Sequence, residues 1–192
     1  SFGINGVVTT NIEHGGGEDA IYSMALQSDG KYIAGGGTNW YDGNMVLARY
    51  ETNGLLDTSF GIDGTVITKI GTHHSFISKV LLEDGKIIAA GYARDFAVVK
   101  YNNDGSINYN FGDSGTVITY FGLSNGITDA ALQSDGKIVG VGYSGYKVLL
   151  ARYNNNEPVT ISFRKNVQVT EGNSGIKKAS FEALSYGAAV AK

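Results

Sequence analysis

An internal repeat runs through the first 154 residues and constrains the fold more than any other feature of the sequence. Each copy opens on Phe-Gly-x-x-Gly and a β-branched stretch; the openings are Phe2-Gly3-Ile4-Asn5-Gly6, Phe60-Gly61-Ile62-Asp63-Gly64 and Phe111-Gly112-Asp113-Ser114-Gly115. Each copy then passes through Asp-Gly-Lys and closes on an apolar run ending in a cation and a tyrosine: Arg49-Tyr50, Lys100-Tyr101 and Arg152-Tyr153. The copies are spaced by 58 and then 51 residues, and the difference falls in two loops, as a repeated fold predicts.

Each copy contains four short stretches typical of strands. In the second copy they cover residues 65–70, 77–82, 86–92 and 96–101. Asp-Gly between two such stretches favours a hairpin with a type I′ turn, so hairpins are predicted at all three Asp-Gly-Lys sites. No segment shows sustained helical periodicity. Since four antiparallel strands make one propeller blade, the sequence predicts an all-β fold of three four-stranded, β-propeller-like blades.

The blades are predicted at about 1–58, 59–109 and 110–154, followed by a linker at 155–158 and a different module at 159–192. The only proline, Pro158, lies beside an asparagine run and indicates this boundary. Three blades are fewer than the about four to eight of a closed ring. We therefore expect the chain to be a piece of a longer protein, with the ring completed by other blades of that protein or by a second copy.

Composition and charge exclude several classes of function. The net charge is −3, with 15 basic and 18 acidic side chains interspersed, whereas nucleic-acid binding needs a basic face. The absence of cysteine excludes zinc ribbons, thiol catalysis and disulfide frameworks. No run approaches 18 apolar residues, so no transmembrane segment is predicted.

Two resemblances to known families follow from these residues. Leu56-Asp57-Thr58-Ser59-Phe60-Gly61, with residues 25–31 and 47–50, resembles the bacterial delta-60 repeat, and the repeats cover about four-fifths of the chain. Residues 167–175 resemble the opening of a Calx-beta domain, a β-sandwich module of which only the first strands are present. This second resemblance implies calcium binding by a complete module, with Glu171 as one acidic ligand, and no other cofactor is implied.

The combination also implies a biological context. Proteins with both modules are generally large, secreted or surface-anchored bacterial proteins, and many resemble adhesins. The resemblance therefore implies an extracellular or cell-surface location, a non-catalytic structural or adhesive role, and a surface glycan or protein as partner. Two alternatives stay open: a carbohydrate-binding or glycan-processing propeller with a site at one mouth, and a cargo or plug polypeptide associated with secretion machinery.

The residues singled out for ligand contact lie in an insertion at residues 38–44 that the other copies lack. It contains the only tryptophan, Trp40, beside Tyr41, Asp42 and Asn44. Aromatic rings flanked by amides and carboxylates suit stacking on sugars or docking on proteins. Packing of this loop against the next blade is the alternative interpretation.

Other motifs receive structural interpretations, and no catalytic residue is predicted. Gly112-Asp113-Ser114-Gly115 is similar to a serine-protease nucleophile stretch, but it occupies the repeated turn. The G-x-G-x-x-G pattern at residues 140–145 precedes a strand rather than a helix, so its glycines are interpreted as sites of close backbone approach. His14, His73 and His74 are interpreted as exposed loop residues rather than metal ligands.

Overall fold

The computed structural model describes residues 1–12, 18–39, 43–122, 125–145 and 147–155, and the backbone of 162–163. These residues form only strands, turns and loops, as the sequence predicts. The strands are β1 (Ala20–Leu26), β2 (Tyr32–Gly37), β3 (Met45–Tyr50), β4 (Thr65–Thr68), β5 (Phe76–Glu83), β6 (Lys86–Tyr92), β7 (Phe96–Tyr101), β8 (Thr116–Thr119), β9 (Asn125–Leu132), β10 (Ile138–Ser144), β11 (Lys147–Tyr153) and β12 (Ser162–Phe163). Within these ranges there is no helix of the length and apolar character that a membrane crossing requires.

The strands form three antiparallel sheets of four strands each: β1 to β4, β5 to β8 and β9 to β12. Within each sheet the strands lie in chain order. The first strand of one sheet contacts the first strand of the next, β1 with β5 and β5 with β9, while β4, β8 and β12 lie at the opposite edges. This is the arrangement of neighbouring propeller blades, and the predicted fold class is confirmed.

The sheets are out of phase with the sequence repeat, which corrects the predicted grouping of strands. Residues 65–70 were predicted to share a sheet with the rest of the second copy, but β4 pairs with β3 of the first sheet. The cause is a connection that folds back on β3, in which the Arg49 N–H donates to the Gly64 carbonyl (2.9 Å). The Phe-Gly-x-x-Gly turns at Phe60 and Phe111 therefore carry the chain into β4 and β8, the fourth strands of the preceding sheets.

The third sheet follows the same rule at its outer edge. Phe163 pairs with Ala151 and Ser162 with Arg152, so β12 occupies the edge position that β4 and β8 occupy in the other sheets. These two residues were assigned from sequence to the β-sandwich module, and they pair with the third blade instead. Residues 164–192, including the rest of that predicted module, lie outside the described residues.

All three Asp-Gly-Lys sites form hairpins, but their turns differ from the prediction. Only the second hairpin has the predicted two-residue turn, with φ of 46° at Asp84 and 72° at Gly85. In the first and third hairpins the serine before Asp-Gly is part of the loop, whereas Glu83 at the same position of the second hairpin is paired. Only Gly30 (86°) and Gly136 (78°) of these two loops have positive φ. That pattern is a type I turn closed by a left-handed glycine, which a three-residue loop favours.

The core consists of two layers, one on each face of the middle sheet. The first lies between the first and second sheets and contains Leu47, Phe60 and Ile87; the second lies between the second and third sheets and contains Ile88 and Phe111. Phe60 is fully buried, and burial of such a ring contributes about 1.5–3 kcal/mol. The Phe-Gly-x-x-Gly motif thus contributes its aromatic ring to the junction between blades.

Close backbone approach explains the glycines near the end of each second strand. A Cβ at Gly36, Gly91 or Gly142 would lie within 1.8–2.1 Å of a carbonyl oxygen of the neighbouring first strand. The pairing register of the two strands shifts beside each of these glycines, as at a β-bulge. The interpretation of these positions as close-approach sites is confirmed, and β11 follows the G-x-G-x-x-G segment as expected.

Candidate functional site

The three sheets have two ends with different chemistry. We call the end formed by the β1–β2 and β3–β4 connections, and by their equivalents in the other sheets, the hairpin end. We call the opposite end, formed by the β2–β3 and β4–β5 connections and their equivalents, the insertion end, because Thr38 and Asn44, the first and last residues of the insertion, lie there.

At the hairpin end, the first junction between blades is held by a buried ionic network. Arg49 Nε lies 2.6 Å from Asp57 Oδ2, and Lys31 Nζ lies 2.7 Å from the same oxygen. Lys31 also pairs with Glu51 (2.8 Å). Arg49 Nη1 donates across the junction to the carbonyl of Asn103, which follows the second sheet's third strand. The repeated cation therefore joins the two blades.

The charge of Asp57 is fixed by this network. The carboxyl group is only 5 % exposed, and burial alone would raise its pKa. Hydrogen bonds from Lys31, Ser59 and Arg49 outweigh burial and hold the pKa of Asp57 well below its usual range. Asp57 is therefore ionised in the folded protein near neutral pH. Its carboxylate pairs with both Lys31 and Arg49.

At the second junction a cation at the position of Arg49 again reaches the next blade, but its carboxylate partner lies elsewhere in the repeat. Lys100 Nζ lies 3.0 Å from Glu83 Oε2 and donates to Asn155 Oδ1 (2.6 Å) of the third blade. Asn155 Nδ2 in turn donates to Glu83 and to the Gly136 carbonyl. A polar cleft of about 340 Å³ lies here, but its Glu83 carboxylate is engaged by both Lys100 and Asn155.

At the insertion end, the first junction carries an aromatic cluster formed by Tyr22, His74, Phe76 and Tyr92. The Phe76 ring lies 5.4 Å from Tyr92 in a stacked geometry and 5.4 Å from Tyr22 edge to face. His74 lies 5.3 Å from Phe76, and partial burial lowers the pKa of its imidazole. Tyr22 is 50 % exposed, so the cluster presents an aromatic surface to solvent.

The insertion is anchored directly beside this cluster. The Ser75 N–H donates to the Gly43 carbonyl (2.8 Å), which places the end of the insertion next to Phe76. The insertion closes on itself, because Thr38 and Asn44 exchange hydrogen bonds: the Thr38 N–H donates to the Asn44 carbonyl (3.0 Å), and the Asn44 N–H donates to Thr38 Oγ1 (3.3 Å). Asn44 is half-buried at the base of the insertion.

The other three residues predicted for ligand contact, Trp40, Tyr41 and Asp42, lie outside the described residues, so their role stays a prediction. The aromatic cluster itself was not predicted from the sequence. One signal was present, because Tyr92 and Tyr143 occupy the same position directly after the close-approach glycines of their strands. The repeat period alone, however, does not show that Tyr22 of the first sheet contacts Phe76 of the second.

The second junction differs from the first at this end. Asn125 Nδ2 donates to Asp95 Oδ1 (3.1 Å), and the Asn125 N–H donates to the Arg94 carbonyl (3.1 Å). Burial raises the pKa of Asp95. By strand register Asn125 and Asp95 correspond to Ser75 and Asn44 of the first junction, and Gly126 stands where Phe76 stands there.

The predicted calcium ligand Glu171 and the loop residue His14 lie outside the described residues. His73 is exposed, and its Nε2 lies 3.2 Å from Arg94 Nη1 while its Nδ1 lies 3.2 Å from Thr72 Oγ1. A guanidinium only donates, so His73 Nε2 accepts this hydrogen bond. Within the described ranges no three His, Asp or Glu side chains come together as a metal site would require.

The Gly112-Asp113-Ser114-Gly115 stretch forms the same tight turn as its counterparts. Ser114 has φ of 52° and Gly115 of 88°, and the N–H of Asp113 donates to the Thr116 carbonyl (2.8 Å). Asn5 and Asp63 adopt the same left-handed backbone in the other two copies. This two-residue turn with two positive φ values explains the motif through backbone geometry, as the repeat predicts.

A comparison with known protein families agrees with the arrangement of the chain in three propeller-like blades. The model of the family described as "Domain of unknown function (DUF5122) beta-propeller" matches the chain three times, over residues 27–60, 82–111 and 133–156. Each match includes an Asp-Gly-Lys hairpin and the cation–tyrosine end of a third strand. No curated protein matches the chain significantly. The chain therefore carries three β-propeller repeats similar to those of this family.

Proposed function

We propose that these β-propeller repeats form a non-catalytic structural or adhesive segment of a large secreted or surface-anchored bacterial protein. One observation carries the proposal: the charged side chains that recur in the repeats are used at the hairpin end to join blades. Tyr22 and Phe76, two aromatic residues that do not recur in the other copies, lie together at the insertion end. A rigid platform with one variable, aromatic end is suited to binding without chemical change.

A surface glycan or a protein is the proposed partner of the insertion end. Tyr22 offers an exposed ring, and the insertion with Trp40, Tyr41 and Asp42 begins and ends beside the same cluster. Aromatic rings bind the apolar faces of sugars, and nearby amides and carboxylates supply directional hydrogen bonds. A carbohydrate-binding or glycan-processing propeller is the second candidate, since the same cluster favours it.

A panel of labelled oligosaccharides tests the adhesive role against the glycan-processing role. We expect binding that Tyr22→Ala and Trp40→Ala each weaken at least about tenfold, which corresponds to about 1.4 kcal/mol. Tyr109→Ala, at an exposed tyrosine of the hairpin end, is the matched control and should bind like the wild type. Equal losses in all three variants, or no binding to glycans or surface proteins, would contradict an adhesive insertion end.

The same incubations test the absence of catalysis. We expect every labelled oligosaccharide to be recovered at its original length after prolonged incubation. Shorter products that form in proportion to the chain's concentration would support the glycan-processing candidate instead. For location, antibodies against the chain should label intact producing cells, whereas labelling only after lysis would contradict a secreted or surface protein.

A further inference from the structure

Arg94 lies at the insertion end in a backbone conformation that arginine rarely adopts. Its φ is 65°, in the left-handed region. The equivalent residues of the other copies, each three positions after the close-approach glycine of its sheet, are Asn39 (φ 43°) and Gly145 (φ 56°). Asparagine and glycine accept this conformation readily, whereas an arginine is strained in it. A strained backbone at such a position indicates a function for the side chain that it presents.

The guanidinium of Arg94 has hydrogen-bond donors that the described residues do not use. The side chain is exposed, and among those residues its hydrogen bond is the one from Nη1 to His73 Nε2 (3.2 Å). No described carboxylate forms an ion pair with it. The neighbouring Asp95 is 5 % exposed and accepts a hydrogen bond from Asn125 Nδ2 instead. Arg94 therefore presents its charge and its remaining N–H groups to solvent.

This guanidinium lies beside the aromatic cluster. Tyr92 of the cluster precedes Arg94 by two residues, and His73, which accepts the hydrogen bond from Arg94, is followed directly by His74 of the cluster. His74 packs on both Phe76 (5.3 Å) and Tyr92 (6.0 Å). A cation with available donors and an exposed aromatic surface are therefore neighbours at the insertion end of the first junction.

The joining of blades does not explain this pair of features, because the second junction forms without either of them. By strand register Gly126 of the third sheet stands where Phe76 stands in the second. Gly145 likewise stands where Arg94 stands. The cation and the aromatic ring are thus both present in one copy and both replaced by glycine in the next, as expected for two parts of one binding site.

We infer that the insertion end binds an acidic sugar, whose carboxylate pairs with Arg94 while its ring packs on the aromatic cluster. The inference rests on the proposed function and names the class of glycan for that same site. A guanidinium binds a carboxylate through two parallel N–H donors, and an aromatic ring binds the apolar face of a sugar. Uronic acids carry a carboxylate and an apolar ring face in one residue, so they match both features of the site.

Two matched probes test the charge: a labelled oligouronate, and the same oligosaccharide with its carboxylates reduced to alcohols. We expect the wild type to bind the oligouronate at least about tenfold more tightly, since hydrogen bonds to charged groups are worth at least that factor. Arg94→Asn should abolish this difference and leave binding of the reduced probe unchanged. Arg152→Gln, which removes an equal charge from an exposed residue of the hairpin end, should leave both affinities unchanged.

Thermal unfolding separates this role of Arg94 from a structural one. Asparagine occupies the same position in the first copy and accepts a left-handed backbone. Arg94→Asn should therefore unfold at the temperature of the wild type or above it. A clearly lower unfolding temperature together with weaker binding would show that Arg94 supports the fold, and it would overturn the inference.

Asp42 belongs to the insertion by sequence and lies outside the described residues. Asp42→Asn removes its charge while keeping its size, and it should strengthen oligouronate binding or leave it unchanged, because a nearby carboxylate repels an anion. Equal loss of both probes in Asp42→Asn and Arg94→Asn would show that these two residues hold the insertion in place, and it would also overturn the inference.

Binding of the wild type to three probes distinguishes failure of this inference from failure of the proposed function. Equal affinity for the oligouronate and the reduced probe would overturn the acidic-sugar inference and leave glycan binding at this end in place. Equal affinity for the oligouronate and for a labelled polyglutamate peptide would show that charge alone is recognised, and it would overturn the assignment to sugars. No binding of any oligosaccharide would contradict the proposed glycan partner as well.

Discussion

The hairpin end and the insertion end of the first junction are built from the same strands but use their side chains differently. At the hairpin end, Arg49, Lys31 and Asp57 form a closed network that crosses to the next blade. At the insertion end, Tyr22 and Phe76 form contacts that leave part of the surface exposed. At this junction the cation that recurs in every copy joins two blades, whereas Tyr22, which does not recur, leaves half of its side chain exposed.

The two junctions extend this comparison. Asp57 is replaced by Asn108 at the second junction, and the ionic contact there depends on Glu83 and Lys100 instead. The cation is retained at both junctions, but its anionic partner is Asp57 of the β3–β4 connection at the first and Glu83 of β5 at the second. The repeat thus keeps a cation at each junction, while the carboxylate that pairs with it changes from Asp57 to Glu83.

The largest expected effect is at the hairpin end. Asp57→Ala leaves Arg49 and Lys31 near each other without their shared carboxylate, and loss of one member of a buried ion pair costs about 3–5 kcal/mol. Urea unfolding measures the free-energy change. Asp113→Ala, at an exposed aspartate in a repeated turn, is the control and should change stability by less than about 1 kcal/mol. Similar losses for both variants would contradict a special role for the network.

The pH dependence of stability tests the contribution of the Asp57 charge. Because the pKa of Asp57 is lower in the folded state than in the unfolded chain, its contribution is present above about pH 4 and is lost as pH falls through the folded pKa. We therefore expect the stability difference between wild type and Asp57→Asn to shrink between neutral and strongly acidic pH. A difference that is independent of pH would show that the Asp57 charge does not stabilise the fold.

The smallest expected effect is at the insertion end. Tyr22→Ala removes a half-exposed ring with one edge-to-face partner, and we expect stability to fall by about 1 kcal/mol or less. Thermal unfolding measures this change beside that of Asp57→Ala. If Tyr22→Ala were as destabilising as Asp57→Ala, the aromatic cluster would be part of the core rather than a surface for a partner.

Much of the insertion end could not be predicted from the sequence, because contacts between distant residues build it. The insertion at residues 38–44 was predicted as a contact region, and its anchoring beside Phe76 depends on the hydrogen bond between Ser75 and Gly43. That contact joins residues 32 positions apart, and no local pattern encodes it. The role of the cations in joining blades was accessible, because they recur at the same position in every copy.

Strand pattern and turn chemistry act over a few residues, so the all-β fold, the three repeats and the positions of the hairpins could be predicted from the sequence alone. The grouping of strands into sheets and the turn type of each hairpin became clear only from the folded structure. A period is the same wherever the repeat is taken to start, so it cannot show that Thr65–Thr68 belongs to the preceding sheet. Strand pairing depends on contacts between distant residues, and those contacts decide where one blade ends and the next begins.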